Sequence, residues 1–341
     1  MSLPKTSLAV NRCAFPINFD TYKGCEHQCK YCFANLAPNG ERVNVKFDST
    51  AKDLSNWIAG SRGATESWCD WNIPICIGRN SDPFQPIERK EKRTLACLKV
   101  LAKSGYPFII TTKNAMCAEG EWLEVLKDCN FVMQFSMLCP DMDKLERGAS
   151  SYEERLAAIS KIAPYARRVV ARWQPLFLEL APKAMREIPR LKEAGAYAVL
   201  CECAFLKKPL GKCNVYTNGQ FLYSVADKEK WETRIKQKCH AHGLVFLSSD
   251  TKRLSDSLCC CCGDGLEKHG FIPNRCNAVW YYLDRKKYCA TAGQKKVGSA
   301  RAFHNVMFGR EDYKKLAQYT FQQAMENAII TPDIKLQMER G

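Results

Sequence analysis

Three cysteines near the start of the chain have a spacing that suits metal chemistry. Cys25, Cys29 and Cys32 form a C-x3-C-x2-C pattern. Thiolates are soft ligands that favour iron–sulfur clusters, and an ordinary 4Fe–4S cluster is held by four of them. Three thiolates on one loop would hold three irons and leave the fourth iron open to a small molecule. The spacing therefore predicts a catalytic 4Fe–4S cluster bound by these three cysteines.

A zinc loop is one alternative interpretation of these cysteines. Structural zinc sites use four ligands, commonly two C-x2-C pairs, and no matching second pair follows at the usual distance. Chance is the other alternative, because the chain has 20 cysteines in 341 residues. With an aromatic residue, Tyr31, directly before the third cysteine, the motif resembles the signature of the radical S-adenosylmethionine superfamily. This resemblance favours the cluster interpretation over both alternatives.

The charge and composition limit the classes of partner. The formal net charge of +15 favours phosphate-bearing or other anionic partners, although the basic residues are dispersed and form no recognised nucleic-acid motif. There is no signal-peptide core and no run of about 18 apolar residues. We therefore expect a cytoplasmic protein with no membrane partner, whose cysteines are thiols or metal ligands.

Six strand-like segments alternate with helices over the first 205 residues. The predicted strands cover residues 16–20, 73–78, 106–111, 130–136, 168–173 and 196–202, and the helices 51–59, 88–104, 122–126, 151–163 and 182–194. This alternation favours parallel βαβ units with right-handed crossovers. The sequence predicts an α/β fold, a partial (β/α)6 TIM-type barrel. Polar segments follow several strands, at the edge where such barrels carry their active sites.

The pattern changes after about residue 205. We divide the chain into a barrel core, 1–205, and a cysteine-rich C-terminal extension, 206–341, that packs on it. The extension is expected to contain helices at 228–240 and 313–327 and a strand at 244–248. Four adjacent cysteines occupy 259–262. Two of them would form a second metal site if a turn brought them to Cys276 or Cys289; buried residues with incidental thiols are the favoured alternative.

The segments that follow the strands extend the pattern beyond the three cysteines. They are Ser81-Asp82-Pro83-Phe84-Gln85-Pro86-Ile87-Glu88, Thr112-Lys113, Ser136, Leu145-Glu146-Arg147-Gly148-Ala149 and Arg155-Leu156. With the cluster loop, they resemble the spore photoproduct lyase-like branch of the radical S-adenosylmethionine superfamily, over roughly residues 15 to 205. The resemblance implies a partial barrel, a 4Fe–4S cluster and reductive cleavage of S-adenosylmethionine to a 5′-deoxyadenosyl radical. It also implies an electron donor such as flavodoxin or ferredoxin.

The same resemblance assigns roles to individual residues. Cys25, Cys29 and Cys32 would bind the cluster. The remaining side chains would contact S-adenosylmethionine: Tyr31 beside the adenine, Ser81 and Asp82 at the methionine or ribose part, Lys113 at the carboxylate, Ser136 at the ribose, and Arg172 as a further contact. His27, inside the cluster loop, is expected to face solvent.

Arg79 marks a departure from the lyases of this branch. Spore photoproduct lyases have a hydrogen-donating cysteine two residues before the Ser-Asp pair, and this chain has Arg79 there. A polar substrate pocket is expected around five side chains, those of Arg79, Asn80, Gln85, Gln174 and Glu202. Such a pocket suits a purine-like molecule, because a carboxylate such as Glu202 accepts hydrogen bonds from the amino and ring N–H groups of a guanine edge.

Three functions are compatible with these features. The first is a radical S-adenosylmethionine lyase that breaks a C–C or C–N bond in a nucleobase-like small molecule, such as the 7-deazaguanine queuine, which would yield preQ1. The second is repair of a DNA photoproduct or another lesion, which the charge of +15 favours. The third is a structural zinc or iron–sulfur protein that binds nucleic acid without catalysis.

Overall fold

The computed structural model describes most of the predicted barrel and part of the chain after it. The described residues are 3–6, 13–32, 44–63, 66, 69, 71–217, 219–257, 260–274, 319, 320 and 323. Most of the predicted helix at 313–327 lies outside them, as do Cys259, Cys276 and Cys289.

The described residues form twelve strands and seven α-helices. The strands are β1 (Lys5–Thr6), β2 (Ile17–Phe19), β3 (Tyr22–Lys23), β4 (Lys46–Phe47), β5 (Ile75–Ile77), β6 (Phe108–Thr112), β7 (Phe131–Ser136), β8 (Arg168–Leu176), β9 (Ala198–Cys203), β10 (Val215–Thr217), β11 (Gln220–Leu222) and β12 (Val245–Ser248). The helices are α1 (Ala51–Ile58), α2 (Glu88–Glu91), α3 (Arg93–Ser104), α4 (Gly120–Lys127), α5 (Tyr152–Ile162), α6 (Ala181–Glu193) and α7 (Val225–Ala241).

One eight-stranded sheet organises the fold. Its order is β1-β2-β5-β6-β7-β8-β9-β12. Strand β1 is antiparallel to β2, and every later pair is parallel with at least one helix in the connection. This confirms the predicted partial β/α barrel. The sheet has one parallel strand more than the six expected, because β12 pairs with β9. The division of the chain at residue 205 stays a prediction.

The central strands are buried along their length, as parallel strands covered on both faces require. All six residues of β7 are buried. Helix α3 buries Leu95, Leu98 and Leu101, the helical spacing of one apolar face.

The predicted helix at 88–104 is divided at Lys92, which has a φ of 50°. The cause is the buried carboxylate of Glu88. It accepts hydrogen bonds from the backbone N–H groups of Thr94 and Leu95, both at 2.9 Å, at the start of α3.

The parallel arrangement brings the carboxyl ends of the strands to one edge, where ligands of such sheets bind. The loops after β5, β6 and β7 carry most of the polar motifs found in the sequence. No described helix has the length and apolar character needed to cross a membrane.

Candidate active site

The cluster loop, residues 24–32, follows β3 and carries the three cysteines. Burial is the main cause that raises the pKa of Cys25 to about 12 and that of Cys29 to about 11. Cys29 adds to the shift of Cys25, and Cys32 adds to that of Cys29, so the thiols are close enough to interact. Since the metal ligand is the thiolate, metal binding here must release protons.

Gln85 holds the cluster loop in place. This side chain is fully buried. Its Oε1 accepts from the backbone N–H of Glu26 at 2.9 Å, and its Nε2 donates to the carbonyl of Gly24 at 3.2 Å. Glu26 in turn accepts from the backbone N–H of Ile87 at 2.6 Å. Gln85 therefore lies under the loop, with both ends of its amide bonded to loop backbone, and its role in a substrate pocket stays a prediction.

The segment around Gly148 packs on the same loop. The N–H of Gly148 donates to the carbonyl of His27 at 3.1 Å. A Cβ at Gly148 would lie 2.7 Å from the Glu26 carbonyl oxygen, too close for any residue other than glycine without a shift of backbone. The expectation that His27 faces solvent is wrong: it is 1% exposed, its Nδ1 lies 3.4 Å from Asp82, and burial lowers its pKa.

The Ser81-Asp82 turn joins the end of β5 to the end of β6. One oxygen of Asp82 accepts from the Thr112 hydroxyl at 2.7 Å, and the other from the Lys113 backbone N–H at 2.6 Å. The Ser81 hydroxyl donates to the carbonyl of Tyr22. Both side chains are buried and have partners within the chain. They therefore fix this turn, and their contact with S-adenosylmethionine stays a prediction.

A buried carboxylate, Glu146, joins the cluster loop to two cations. Its Oε1 lies 3.0 Å from Lys113 Nζ, and its Oε2 lies 2.7 Å from Arg155 Nη1. The Tyr31 hydroxyl donates to Oε1. Burial raises the pKa of Glu146, but the two cations outweigh burial and hold the pKa at about 2. Sequence reasoning assigned Glu146 no role; the available signal was its place in a motif of the resemblance.

Lys113 and Tyr31 lie together beside this carboxylate. Lys113 Nζ donates to the Ser136 hydroxyl and lies 5.5 Å from the centre of the Tyr31 ring. The Tyr31 ring packs edge-on against Phe177, with 6.1 Å between ring centres. An ammonium group has three N–H donors. Because Glu146 and Ser136 take two of them, one remains for a ligand carboxylate.

A second polar network lies between β7, β8 and β9. Arg172 donates to Gln134 at 2.9 Å, to Glu202 at 3.1 Å and to the side chain of Gln174. The Ser136 hydroxyl donates to the Gln174 carbonyl at 2.9 Å, which connects this network to Lys113. The side chains of Arg172 and Glu202 are 17% and 26% exposed, so a small molecule has access to both.

Arg79 and Asn80 have other partners. Arg79 Nη2 lies 3.2 Å from Cys76 Sγ and 3.3 Å from Cys261 Sγ. Asn80 is exposed and donates to Asp20 at 2.9 Å. The structure therefore divides the five predicted pocket residues among four surroundings: Gln85 under the cluster loop, Gln174 and Glu202 with Arg172, Arg79 beside two thiols, and Asn80 beside Asp20.

Relatives in sequence cover part of the chain. No protein-family model matches it. Uncharacterized proteins of Mycobacterium bovis and Mycobacterium tuberculosis are 27% identical over 163 residues, which is 45% of this chain. The match covers 47% of each of those proteins, so the chain spans about half the length of the curated relatives it matches.

Solved structures of spore photoproduct lyase share the fold. One mutant has a TM-score of 0.53 at 14% identity, and a complex with dinucleoside spore photoproduct has 0.52 at 16% identity. A further mutant with bound AdoMet and the same dinucleoside also scores 0.52. Each match covers 68% of this chain and 76% of the other. The partial β/α barrel described here is therefore the fold of spore photoproduct lyase. The branch that the sequence motifs resemble is the one named after this enzyme.

Proposed function

We propose that the chain is a radical S-adenosylmethionine enzyme. The observation that carries this proposal is the contact of the three-cysteine cluster loop with the Lys113–Glu146 ion pair, which Tyr31 makes through its hydroxyl to Glu146 and its ring beside Lys113. After burial, Lys113 and Glu146 are the largest influences on the pKa of Cys29. Three thiols suit three of the four irons of a 4Fe–4S cluster, and the remaining N–H of Lys113 suits a ligand carboxylate.

The residues of the chain have separate tasks in this proposal. A bound cluster with S-adenosylmethionine supplies reductive cleavage of the sulfonium to a carbon radical. Cys25, Cys29 and Cys32 bind the cluster, while Gln85 fixes the loop that carries them. Lys113 orients the carboxylate of S-adenosylmethionine, and Tyr31, held by Glu146, presents its ring to the adenine.

The proposed substrate is a nucleobase-like small molecule, and the proposed reaction is cleavage of a C–C or C–N bond. Gln174 and Glu202 support this choice because they offer an amide and a carboxylate in one network, both held by Arg172. A guanine-like edge carries adjacent N–H donors, which suit Glu202, and a carbonyl acceptor, which suits the amide N–H groups of Gln174. Queuine has such an edge and is the compound to test.

Anaerobic incubation of the reconstituted, reduced protein with S-adenosylmethionine and queuine tests both levels of the proposal. We expect 5′-deoxyadenosine and a smaller base, measured by liquid chromatography and mass spectrometry. Glu202→Gln should lower formation of the smaller base by about tenfold or more, because the proposed carboxylate acceptor for the N–H groups of the substrate is replaced by an amide. The matched control is Glu124→Gln, whose side chain is 66% exposed on α4.

The possible outcomes separate the two levels. If 5′-deoxyadenosine forms without a smaller base, the enzyme class is supported and queuine is eliminated as the substrate. If neither product rises above the level of the Cys29→Ala variant, the enzyme proposal itself is contradicted.

Repair of a DNA lesion is the second candidate function. The net charge of +15 favours it, and one structure with the same fold is a lyase in complex with dinucleoside spore photoproduct. Arg79, at the position where those lyases have a hydrogen-donating cysteine, weighs against it. Binding of a labelled duplex should fall steeply between about 50 and 200 mM salt if DNA is the partner. Absence of binding at the lower salt concentration would eliminate this candidate.

A further inference from the structure

Four thiols from three separate segments surround the guanidinium group of Arg79. Arg79 Nη2 lies 3.2 Å from Cys76 Sγ, 3.3 Å from Cys261 Sγ and 3.7 Å from Cys13 Sγ. The thiol of Cys261 is hydrogen-bonded to those of Cys13, Cys76 and Cys260. We refer to these four cysteines as the thiol cluster. They come from the segment before β2, from β5 and from the turn after β12, so only the fold brings them together.

The thiol cluster lies in a positively charged environment. Arg79 Nη2 has contacts with three of the thiols and donates to the carbonyl of Phe15 at 3.2 Å. A second cation, Arg172, is close enough to Cys260 to interact with it. A buried cation is costly unless it has an anionic partner. Four thiolates around a divalent metal carry two negative charges, which two guanidinium groups balance.

Other buried cysteines of the chain have different surroundings. The thiol of Cys117, for example, donates to the backbone carbonyl of Asn114 at 3.4 Å, and no neighbouring thiol is among the main causes of its raised pKa. The same holds for Cys97 in α3, where burial and nearby charged side chains are the causes. The pocket around Arg79 therefore differs from these two positions, although thiols also neighbour one another at Cys201, where Cys239 and Cys203 contribute to the raised pKa.

We propose that the thiol cluster is a second metal centre, ligated by Cys13, Cys76, Cys260 and Cys261. Four thiolates are the ligand set of structural zinc sites and of iron–sulfur clusters. Arg79 would then donate N–H bonds to the ligating sulfurs, as outer partners of metal ligands commonly do. Sequence reasoning considered a second site with Cys276 or Cys289. Those two residues lie outside the described part of the chain, within which Cys13 and Cys76 lie near two of the adjacent cysteines.

The test uses the full chain with the cluster loop disabled by Cys25→Ala, Cys29→Ala and Cys32→Ala. This variant is incubated anaerobically with zinc alone, or with iron and sulfide, and unbound metal is removed. We expect about one zinc or about four irons per chain, measured by elemental analysis. The incubation after which metal stays bound shows whether the site holds zinc or an iron–sulfur cluster. Replacement of zinc by cobalt then gives the number of thiolate ligands, from the intensity of the sulfur-to-metal charge-transfer absorption.

Further substitutions locate the bound metal. The double substitution Cys76→Ser and Cys261→Ser should lower the amount of bound metal at least about tenfold. Loss of a residue that only hydrogen-bonds to a metal ligand already costs that much affinity, and this variant loses two ligands. Cys97→Ser with Cys117→Ser is the matched control and should retain the bound metal. Metal that persists after Cys76→Ser and Cys261→Ser overturns the proposal. A variant without the loop cysteines that is folded by circular dichroism but binds neither metal overturns it as well.

The wild type supplies the same test if the variant without the loop cysteines does not fold. Cys76→Ser with Cys261→Ser should then remove one of two metal centres and leave the other. The readout is bound metal and involves neither S-adenosylmethionine nor substrate. Failure of this inference is therefore distinct from failure of the proposed function.

Discussion

Fully or partly buried cations have different partners in two regions of the barrel. Beside the cluster loop, Lys113 and Arg155 pair with Glu146, and these cations hold its pKa at about 2 despite burial. In the thiol cluster, Arg79 faces sulfur atoms. A carboxylate with so low a pKa keeps its charge at neutral pH, whereas a thiol changes charge when a metal binds.

This difference separates a preformed site from one that a ligand completes. The Glu146 ion pairs fix Tyr31 and the cluster loop before any cofactor binds. The thiol cluster becomes an anionic partner for Arg79 only when a metal displaces the thiol protons and the sulfurs become thiolates. We therefore expect substitutions in the first region to affect the stability of the chain, and substitutions in the second to affect mainly bound metal.

The largest expected effect is on S-adenosylmethionine cleavage. Cys29→Ala removes one of three proposed cluster ligands and should lower formation of 5′-deoxyadenosine by more than about 100-fold. Loss of a ligand should exceed the roughly 10–100-fold loss of activity that follows when only a hydrogen-bond partner of a ligand is removed. Cys97→Ala, at a buried cysteine of α3, is the control and should retain the activity. Similar losses in both variants would mean that the cluster loop has no special role.

Glu146→Gln tests the preformed region by its effect on stability. The change removes the buried carboxylate that Lys113 and Arg155 share and leaves Arg155 with Asp143, 3.1 Å away, as its remaining carboxylate partner. It should lower the free energy of unfolding by about 3–5 kcal/mol. Urea denaturation measures this loss. Glu153→Gln is the control, because Glu153 is 61% exposed in its pair with Arg190 and should cost less than about 1 kcal/mol. An equally small loss at Glu146 would contradict the preformed ion pairs.

Acid should weaken the same region. The folded pKa of Glu146 is lowered from 4.5 to about 2, so its stabilising contribution is complete above pH 4.5 and is lost as the pH falls through about 2. The loss is about 3 kcal/mol, from 1.36 kcal/mol for each pKa unit. Denaturation of the wild type over this pH range measures it. Glu146→Gln should lack this part of the pH dependence; the same slope in both proteins would be inconsistent with this role.

The smallest expected effect is that of Arg79→Met on the metal-free protein. The contacts of Arg79 are with thiols and the backbone carbonyl of Phe15, so its removal leaves no carboxylate unpaired among them and the free energy of unfolding should change by only about 1 kcal/mol. Arg155→Met is the matched comparison and should cost considerably more, because Glu146 then loses a cation. Equal losses in thermal or urea denaturation would remove the distinction between the two regions.

Local patterns predicted the parts of the molecule that depend on neighbours in the chain. The cysteine spacing and the alternation of strands and helices are readable over a few residues, and the partial barrel follows from that alternation. The division of the predicted helix at Lys92 was missed, because its cause is a carboxylate that binds the N–H groups of a later turn. Strand β12 was recognised as a strand, but its place in the sheet depends on pairing with β9.

The amino-acid sequence alone therefore specifies which chemistry the chain can carry: three thiols on one loop, polar strand ends and a β/α barrel to position them. Tertiary structure decided which side chains meet. Tyr31 reaches Glu146 across 115 positions, and Arg79 reaches Cys261 across 182. Such contacts leave no local periodicity, because they arise when the sheet brings distant strand ends to one edge. For that reason Gln85 lies under the cluster loop and Arg79 lies among thiols, where no spacing in the sequence would place them.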